Sequence, residues 1–288
     1  MRKVAVMWVC ALMIASTLLL VPAGTGADEG GCAPRAPTMI YNANDLQNMS
    51  SGLTGDYALA NDIDASATSG WNGGAGFLPV GTGSSRFGGT FDGKGFNITK
   101  LTINRGSQDY VGLFGNTQSP AKISNVNLVD AVISGRYYVG GIAGYLYYGT
   151  ISGCSVGGTV KGSGYYVGGL AGYAYYATIS NCFSTVSVSA GSDYCGGIAG
   201  YGYRTTLSTC YSTSAITGTW DTGGIIGYLY YSTVSSCYFA GAVGGSSYVG
   251  GIAGFVDSSS AITKSYNTGP VSGQVYTAGS AGVFLYST

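Results

Sequence analysis

The 288-residue chain contains no histidine, and only 8% of it is charged, with 12 Lys and Arg against 12 Asp and Glu. Without His it lacks the usual general base near neutrality, the partner in Ser-His and Cys-His nucleophile pairs, and the commonest zinc ligand. With no basic excess it has little to set against phosphates, so nucleic acid is not an expected partner. Proline is scarce as well, at 6 residues, which excludes a collagen-like triple helix. Disorder calls for low hydrophobicity and high net charge, whereas this chain is 45% hydrophobic with a formal charge of zero. What it has in excess is 51 glycines and 25 tyrosines. Globular proteins average roughly 7% Gly, so some ordered structure must use the surplus.

At the start of the chain, Arg2 and Lys3 precede an apolar run from Val4 to Val21. Small residues follow, with Val21 and Ala23 or Thr25 and Ala27 fitting a cleavage site. Residues 1–23 therefore read as a secretory signal peptide, with cleavage as late as 27. An uncleaved anchor is the alternative, since the run is nearly long enough to span a bilayer. No second apolar span follows, so the mature chain is expected to lack a transmembrane segment and to be secreted or held at the cell surface. Residues 24–37 read as a flexible linker. Cys32 lacks the apolar residue expected three positions before a lipidated cysteine. Asn48 and Asn97 open N-x-Ser/Thr sequons, usable where the host glycosylates exported proteins.

The rest is organised by a repeat. GLFG begins at Gly112; GGIAGY, GGLAGY, GGIAGY, GGIIGY and GGIAGF begin at Gly140, Gly168, Gly196, Gly223 and Gly250, and a degraded AGSAG at Ala278. The period is 27 to 28 residues, a length that marks a solenoid when each unit holds a few short strands. A second column runs Ile123, Ile151, Ile179, Leu207, Val234 and Ile262. Three positions later come Val126, Cys154, Cys182, Cys210, Cys237 and Ser265. Val, Ile, Thr and Tyr fill the runs between Gly and Ser turns, as pleated, half-buried strands prefer. The second unit is expected to hold strands at 138–145, 150–156 and 159–161. The reading is an all-β fold, a parallel β-solenoid of 27–28-residue coils, with glycine at corners that need positive φ or close backbone approach. Residues 38–105 would form an N-terminal cap and first coils, with Asn44 and Gln47 as a capping pair opening a short helix through Met49. Residues 106–288 would be the repeat region.

VGGIAGY...TISGCSVGGTVKG and YVGGLAGY...TISNCFSTVSV resemble the GLUG motif repeats of secreted and surface proteins. YALANDIDAS from Tyr57, GFLPVG from Gly76 and FGGTFDGKGFNITKLTI from Phe87 resemble the region preceding such repeats. The resemblance implies a right-handed parallel β-helix in an exported, often adhesive protein, and it implies no catalytic residues.

Several residue sets could carry chemistry. Cys154, Cys182, Cys210 and Cys237 should stack in one column. They read as a buried small-residue ladder, as inter-coil disulfides in an oxidising compartment, or as a thiolate metal ladder, the last disfavoured by the absence of paired C-x-x-C spacing. Cys195 shares the column of Val139, Val167 and Val249. Tyr145, Tyr173, Tyr201 and Tyr228, with Tyr147, Tyr175, Tyr203 and Tyr230 two places on and Tyr148, Tyr176 and Tyr231 beside them, should form aromatic columns. Strand alternation puts neighbours on opposite sides, so at least one set should be exposed. It would either stabilise the coils by stacking or contact a surface glycan or protein, with Tyr147, Tyr175, Tyr203 and Tyr230 as the candidate binding residues. Asp193 and Asp221 are expected to share a column, with Asp257 one coil on; catalysis would require such carboxylates to converge. Asp62, Asp64 and Asp92 suit turns, with calcium binding as the alternative. No cofactor is expected. The sequence ends on Val283, Phe284, Leu285 and Tyr286 without a polar cap, which predicts possible end-to-end self-association. The functional expectation is a non-enzymatic surface for adhesion or extracellular contact. Alternatives are a carbohydrate-processing β-helix enzyme, a purely structural matrix component, or an ice-binding face on Thr150, Thr178, Thr206 and Thr233.

Overall fold

Each repeat strand pairs with its own copy one coil further on. In the computed structural model, which describes residues 36–285, Thr150–Ser152 runs parallel and in register with Lys122–Ser124 on one side and Thr178–Ser180 on the other. The same holds on every wall, and the strands assemble into sheets of nine, thirteen, seven and six strands. This is a parallel β-solenoid. The signal-peptide reading, most of the linker and Cys32 fall outside the described residues. Among those residues no helix is long and apolar enough to cross a membrane.

A coil has four segments rather than the expected three. In the second unit they are Val139–Gly140, Ala143–Tyr147, Thr150–Ser152 and Ser155–Gly162. The run 138–145 is broken because Tyr138 is left-handed, at φ 56°, and the chain turns between Gly140 and Ala143. The run 150–156 is broken at Gly153, at φ 63°, where Cys154 enters the core.

Inward positions stack into apolar columns. Ile142, Leu170, Ile198, Ile225 and Ile252 form one, and Ile123, Ile151, Ile179, Leu207 and Val234 another, all buried. Val139, Val167, Cys195 and Val249 share a third, in which Thr222 replaces the aliphatic residue. Side chains from all walls meet in one narrow interior, where their burial supplies the main favourable term of folding.

Of the two purposes the sequence suggests for glycine, positive φ and close backbone approach, the second dominates. Among the described residues, positive φ is taken by 22 non-glycine residues and only seven glycines. Most repeat glycines are instead where backbones crowd. A Cβ on Gly144 would lie 2.6 Å from the Tyr138 carbonyl oxygen, 2.6 Å from the Val111 nitrogen and 2.7 Å from the Gly115 oxygen. On Gly168 it would strike the Ala171 carbonyl oxygen of its own coil and the Ala199 Cα, 2.7 Å away, of the next.

The N-terminal helix spans Ala43–Asn48, and its cap differs from expectation. Asn42 is the N-cap, its Oδ1 accepting the Asn44 and Asp45 backbone N–H groups at 2.9 and 3.1 Å. Gln47 does not reach back to Asn44. Its amide reaches across to Leu78, accepting from the Leu78 N–H at 2.9 Å and donating to its carbonyl at 3.0 Å. Asn42 wins because its short side chain already stands in extended backbone before the first turn, which is where a cap must sit. Ala43, Leu46 and Met49 bury the helix face in the core. In the last described coils Tyr266, Val275, Tyr276 and Phe284 are exposed.

Gly168→Ala is expected to lower stability by more than about 2 kcal/mol, because backbone on both sides must shift. Gly106→Ala, at a site with nothing within 4 Å, should change it by less than about 0.5 kcal/mol. Thermal melts followed by circular dichroism compare the two.

Candidate functional site

The tyrosine wall is built by strand alternation. In Ala143–Tyr147, Tyr145 and Tyr147 face outward on either side of buried Leu146. The next coils repeat this with Tyr173, Ala174 and Tyr175, then Tyr201, Gly202 and Tyr203, then Tyr228, Leu229 and Tyr230. The candidate residues Tyr147, Tyr175, Tyr203 and Tyr230 thus form a half-buried outward column with ring centroids 5.3, 4.9 and 5.5 Å apart. The column beside them does not turn inward as strict alternation would have it. Tyr148, Tyr176 and Tyr231 adopt φ of 49°, which swings them to the wall's exposed edge. Each stacked or edge-on pair contributes about 0.5–1.5 kcal/mol beyond its buried area, so the face is held rigid before anything binds.

Two further aromatic columns escaped the sequence reading. Tyr110, Tyr138, Tyr166 and Tyr194 stack at 4.8, 4.9 and 5.0 Å, with positive φ throughout, and meet the Tyr173 and Tyr201 rings edge-on. On another wall Phe183, Tyr211, Tyr238 and Tyr266 stack at 5.0, 5.1 and 5.5 Å. The signals were present: a Tyr two residues before the GG pairs at Gly140, Gly168, Gly196 and Gly250, and an aromatic directly after Cys182, Cys210, Cys237 and Ser265.

Asp193 and Asp221 do not share a column. One coil is a residue shorter here, and the register pairs Cys195 with Thr222, which sets Asp221 in line with Tyr194 and Trp220 in line with Asp193. Asp221 is buried, and its Oδ1 has no hydrogen-bond partner. Asp257 is occupied, accepting from the Tyr228 hydroxyl and the Ser258 hydroxyl, each at 3.0 Å. In the leader, Asp64 accepts the Ser66 N–H at 2.9 Å and Asp92 the Lys94 N–H at 2.8 Å, the hydrogen bonds of turn formation, whereas Asp62 accepts the N–H of Asn97, 35 positions on, at 2.8 Å. Among the described residues, no three His, Cys, Asp or Glu side chains are grouped to hold a metal ion.

Cys154, Cys182, Cys195, Cys210 and Cys237 are buried free thiols. The four in the column bond to backbone at a corner. Cys182 Sγ accepts the Cys154 N–H at 3.4 Å and donates to the Ser180 carbonyl at 3.0 Å, and Cys237 Sγ accepts from Cys210 in the same way. In the next coil Ser265 Oγ accepts the Cys237 N–H at 3.1 Å, so a hydroxyl does the thiol's work. A second corner uses hydroxyls in the later coils: Thr205 N–H donates to Ser232 Oγ, and Ser232 N–H to Ser260 Oγ.

The GLUG motif matches residues 135–161 and 163–189, two adjacent coils of this wall. Residues 135–189 therefore carry two GLUG motif repeats. The chain is 42% identical over 125 residues to "Halomucin" of Haloquadratum walsbyi, and 34% identical over 125 residues to the "Putative Gly-rich membrane protein" of Evansella cellulosilytica. Each match takes in 42% of this chain, but only 1% of the first protein and 14% of the second. Among solved structures, that of a putative immunoglobulin A1 protease from Bacteroides ovatus is similar at 27% identity and a TM-score of 0.66, over 80% of this chain and 75% of that one.

Burial sets the electrostatics of the coils. It raises the pKa of Tyr145, Tyr173, Tyr201 and Tyr228, and pushes Tyr138 up to about 12. The wall therefore presents neutral phenols. The thiols of Cys182 and Cys210 are pushed up to about 12, first by the hydrogen bonds along their column and then by burial, and Cys195 to about 12 by burial. The Asp221 carboxyl is pushed up to about 7, by burial and then by the Asp193 charge.

With Cys10 and Cys32 replaced by Ser, the five buried thiols should stay unreactive toward a disulfide reagent at pH 8 until the chain unfolds. Cys182→Ser should cost less than Cys182→Ala, which leaves the corner N–H unpaired at about 1–3 kcal/mol. A second prediction concerns Asp221. Its folded pKa lies above the unfolded 3.8, so the folded state retains a proton that the unfolded state releases. That contribution is present in full below about pH 4 and is lost as pH rises to about 7. The fold should thus lose on the order of a few kcal/mol across this window relative to Asp221→Asn, whose urea midpoints should lack the slope. Asp193, Asp257, Tyr194 and Tyr228 are the titratable groups around it.

Proposed function

We propose that this protein is exported and acts without catalysis, presenting its solenoid wall as a contact surface for adhesion or other interaction outside the cell. The observation that carries the reading is the outward column of Tyr147, Tyr175, Tyr203 and Tyr230, continuous over four coils and pre-stacked. Phenol rings offer a flat apolar face with a polar tip, suited to sugar rings and to protein side chains, and their order is already settled before contact. The names of the relatives, a halomucin and a membrane protein, agree with a place at the cell exterior.

The name of the Bacteroides structure favours a second reading, hydrolysis. Against it stands the chain's composition, with no histidine in 288 residues; among the described residues, moreover, no Lys or Arg is ion-paired with Asp193, Asp221 or Asp257. The test is binding of the mature protein to a glycan array and to intact cells. Tyr147→Ala with Tyr175→Ala should weaken retention at least about tenfold, the loss expected of two interface aromatics, while circular dichroism stays unchanged. Absence of any binding by the unmutated protein, or equal binding by the double variant, would overturn the assignment to this face. Cleavage of a glycan or peptide in the same assay would instead establish the second reading.

A further inference from the structure

The aromatic columns are interrupted twice, and the two interruptions are opposites. In the exposed edge column the register places Arg204 between Tyr176 and Tyr231. Its guanidinium carbon lies 5.4 Å from each of those ring centroids and 5.9 Å from that of Tyr203. A guanidinium therefore fits where one ring of a ladder is missing, held by cation–π attraction. In the other column the register places Asp221 between Tyr194 and Tyr248. Its φ of 46° matches the 63° and 54° of those tyrosines, so the backbone offers a stacking position that a carboxylate is too short to fill. Tyr194 and Tyr248 are two coils apart, roughly 10 Å at about 4.8 Å per coil, about twice the 4.9 and 5.0 Å at which rings of the unbroken column stack, so one ring position between them is missing. Tyr228, the ring beside Asp221 on its own coil, is tied to Asp257, and Trp220 is half exposed and lies 6.1 Å from Tyr248. Asp221 is 8% exposed, and its Oδ1 is buried without a partner. A buried charge without a counter-charge is costly. Among the described residues the one ion pair is Arg136 with Asp109, so the chain supplies no cation here.

We propose that the interruption at Asp221 is a binding site for a guanidinium group, seated between the Tyr194 and Tyr248 rings and paired with the Asp221 carboxylate. The Arg204 position supplies the geometric precedent, and Asp221 the charge that selects a cation. The group can belong to a small guanidino compound or to an arginine side chain of a partner protein. The site is separate from the Tyr147 column, so its failure would leave the contact-surface reading standing, and the reverse.

The test follows Trp220 fluorescence in a Trp8→Phe, Trp71→Phe background while agmatine, the peptide Gly-Arg-Gly, neutral butylurea and calcium chloride are added in turn. A saturable change with agmatine or the peptide, and none with butylurea, is the expected result. Response to both marks a site open to free guanidino compounds, and response to the peptide alone marks one for a partner's arginine. Asp221→Asn should weaken binding at least tenfold. Asp221→Tyr should restore the ladder, abolish binding and raise the melting temperature, which separates loss of the site from loss of the fold. The proposal is overturned if neither guanidinium probe binds at millimolar concentration, if Asp221→Asn binds within twofold of the parent, or if calcium alone saturates the site.

Discussion

Parallel in-register stacking makes each residue the neighbour of its own copy, and nearly everything else about this chain follows from that. Like charges 4–5 Å apart repel by about 1 kcal/mol even in water, and a charged column would repeat the penalty at every coil. The described charges sit accordingly. Lys122 lies between Thr90 and Thr150, Lys161 between Ser134 and Ser189, and Asp92 between Ala58 and Ser124. Arg204 and Asp221 lie between tyrosines. The 8% charge content is thus a condition of the architecture rather than a by-product of it. Tyrosine answers the same condition from the other side, because it is among the few polar side chains that gain by meeting themselves.

The glycine excess follows from the same constraint through a different route. Coils this narrow bring carbonyls of one wall against amides of another, and Gly144 and Gly168 sit where a single Cβ would break that approach. The left-handed corners, which glycine would take at least conformational cost, are mostly given to side chains. Tyr138, Tyr166 and Tyr194 accept about 1–2 kcal/mol each of backbone cost, offset by ring contacts that a glycine corner would lack.

The solenoid, its period and the Cys and Tyr columns are legible in the sequence because a ladder repeats the same residue type at a fixed interval. The failures occur where the repeat is silent. Gln47 bonds to Leu78, 31 positions away, a pairing that no local capping pattern contains. The strand limits were misjudged because Tyr138 looks like a strand residue, and its positive φ is a property of the corner. The column at Asp221 was misplaced by one because spacing counted in whole periods overlooks which loop gave up a residue. The thiols' contact with backbone amides was hidden too, although Ser265 at the end of their column is the trace of it.

The columns that vary also locate where the wall can be specific. Interior residues and glycines fix the coil, and they are confined to small or aliphatic types by packing. The outward left-handed position is fixed in backbone only: φ stays between 46° and 65° whether the residue is Tyr194, Asp221 or Tyr248. Its side chain can therefore change without disturbing the coil. A uniform ladder is a uniform surface, with the same face at every coil and no preferred position along the axis. A substitution within it breaks that equivalence and gives the wall one place that differs from the rest. In this chain the two such places on the tyrosine wall carry opposite charges, which is the least change that lets a repetitive surface recognise where on itself a partner is bound.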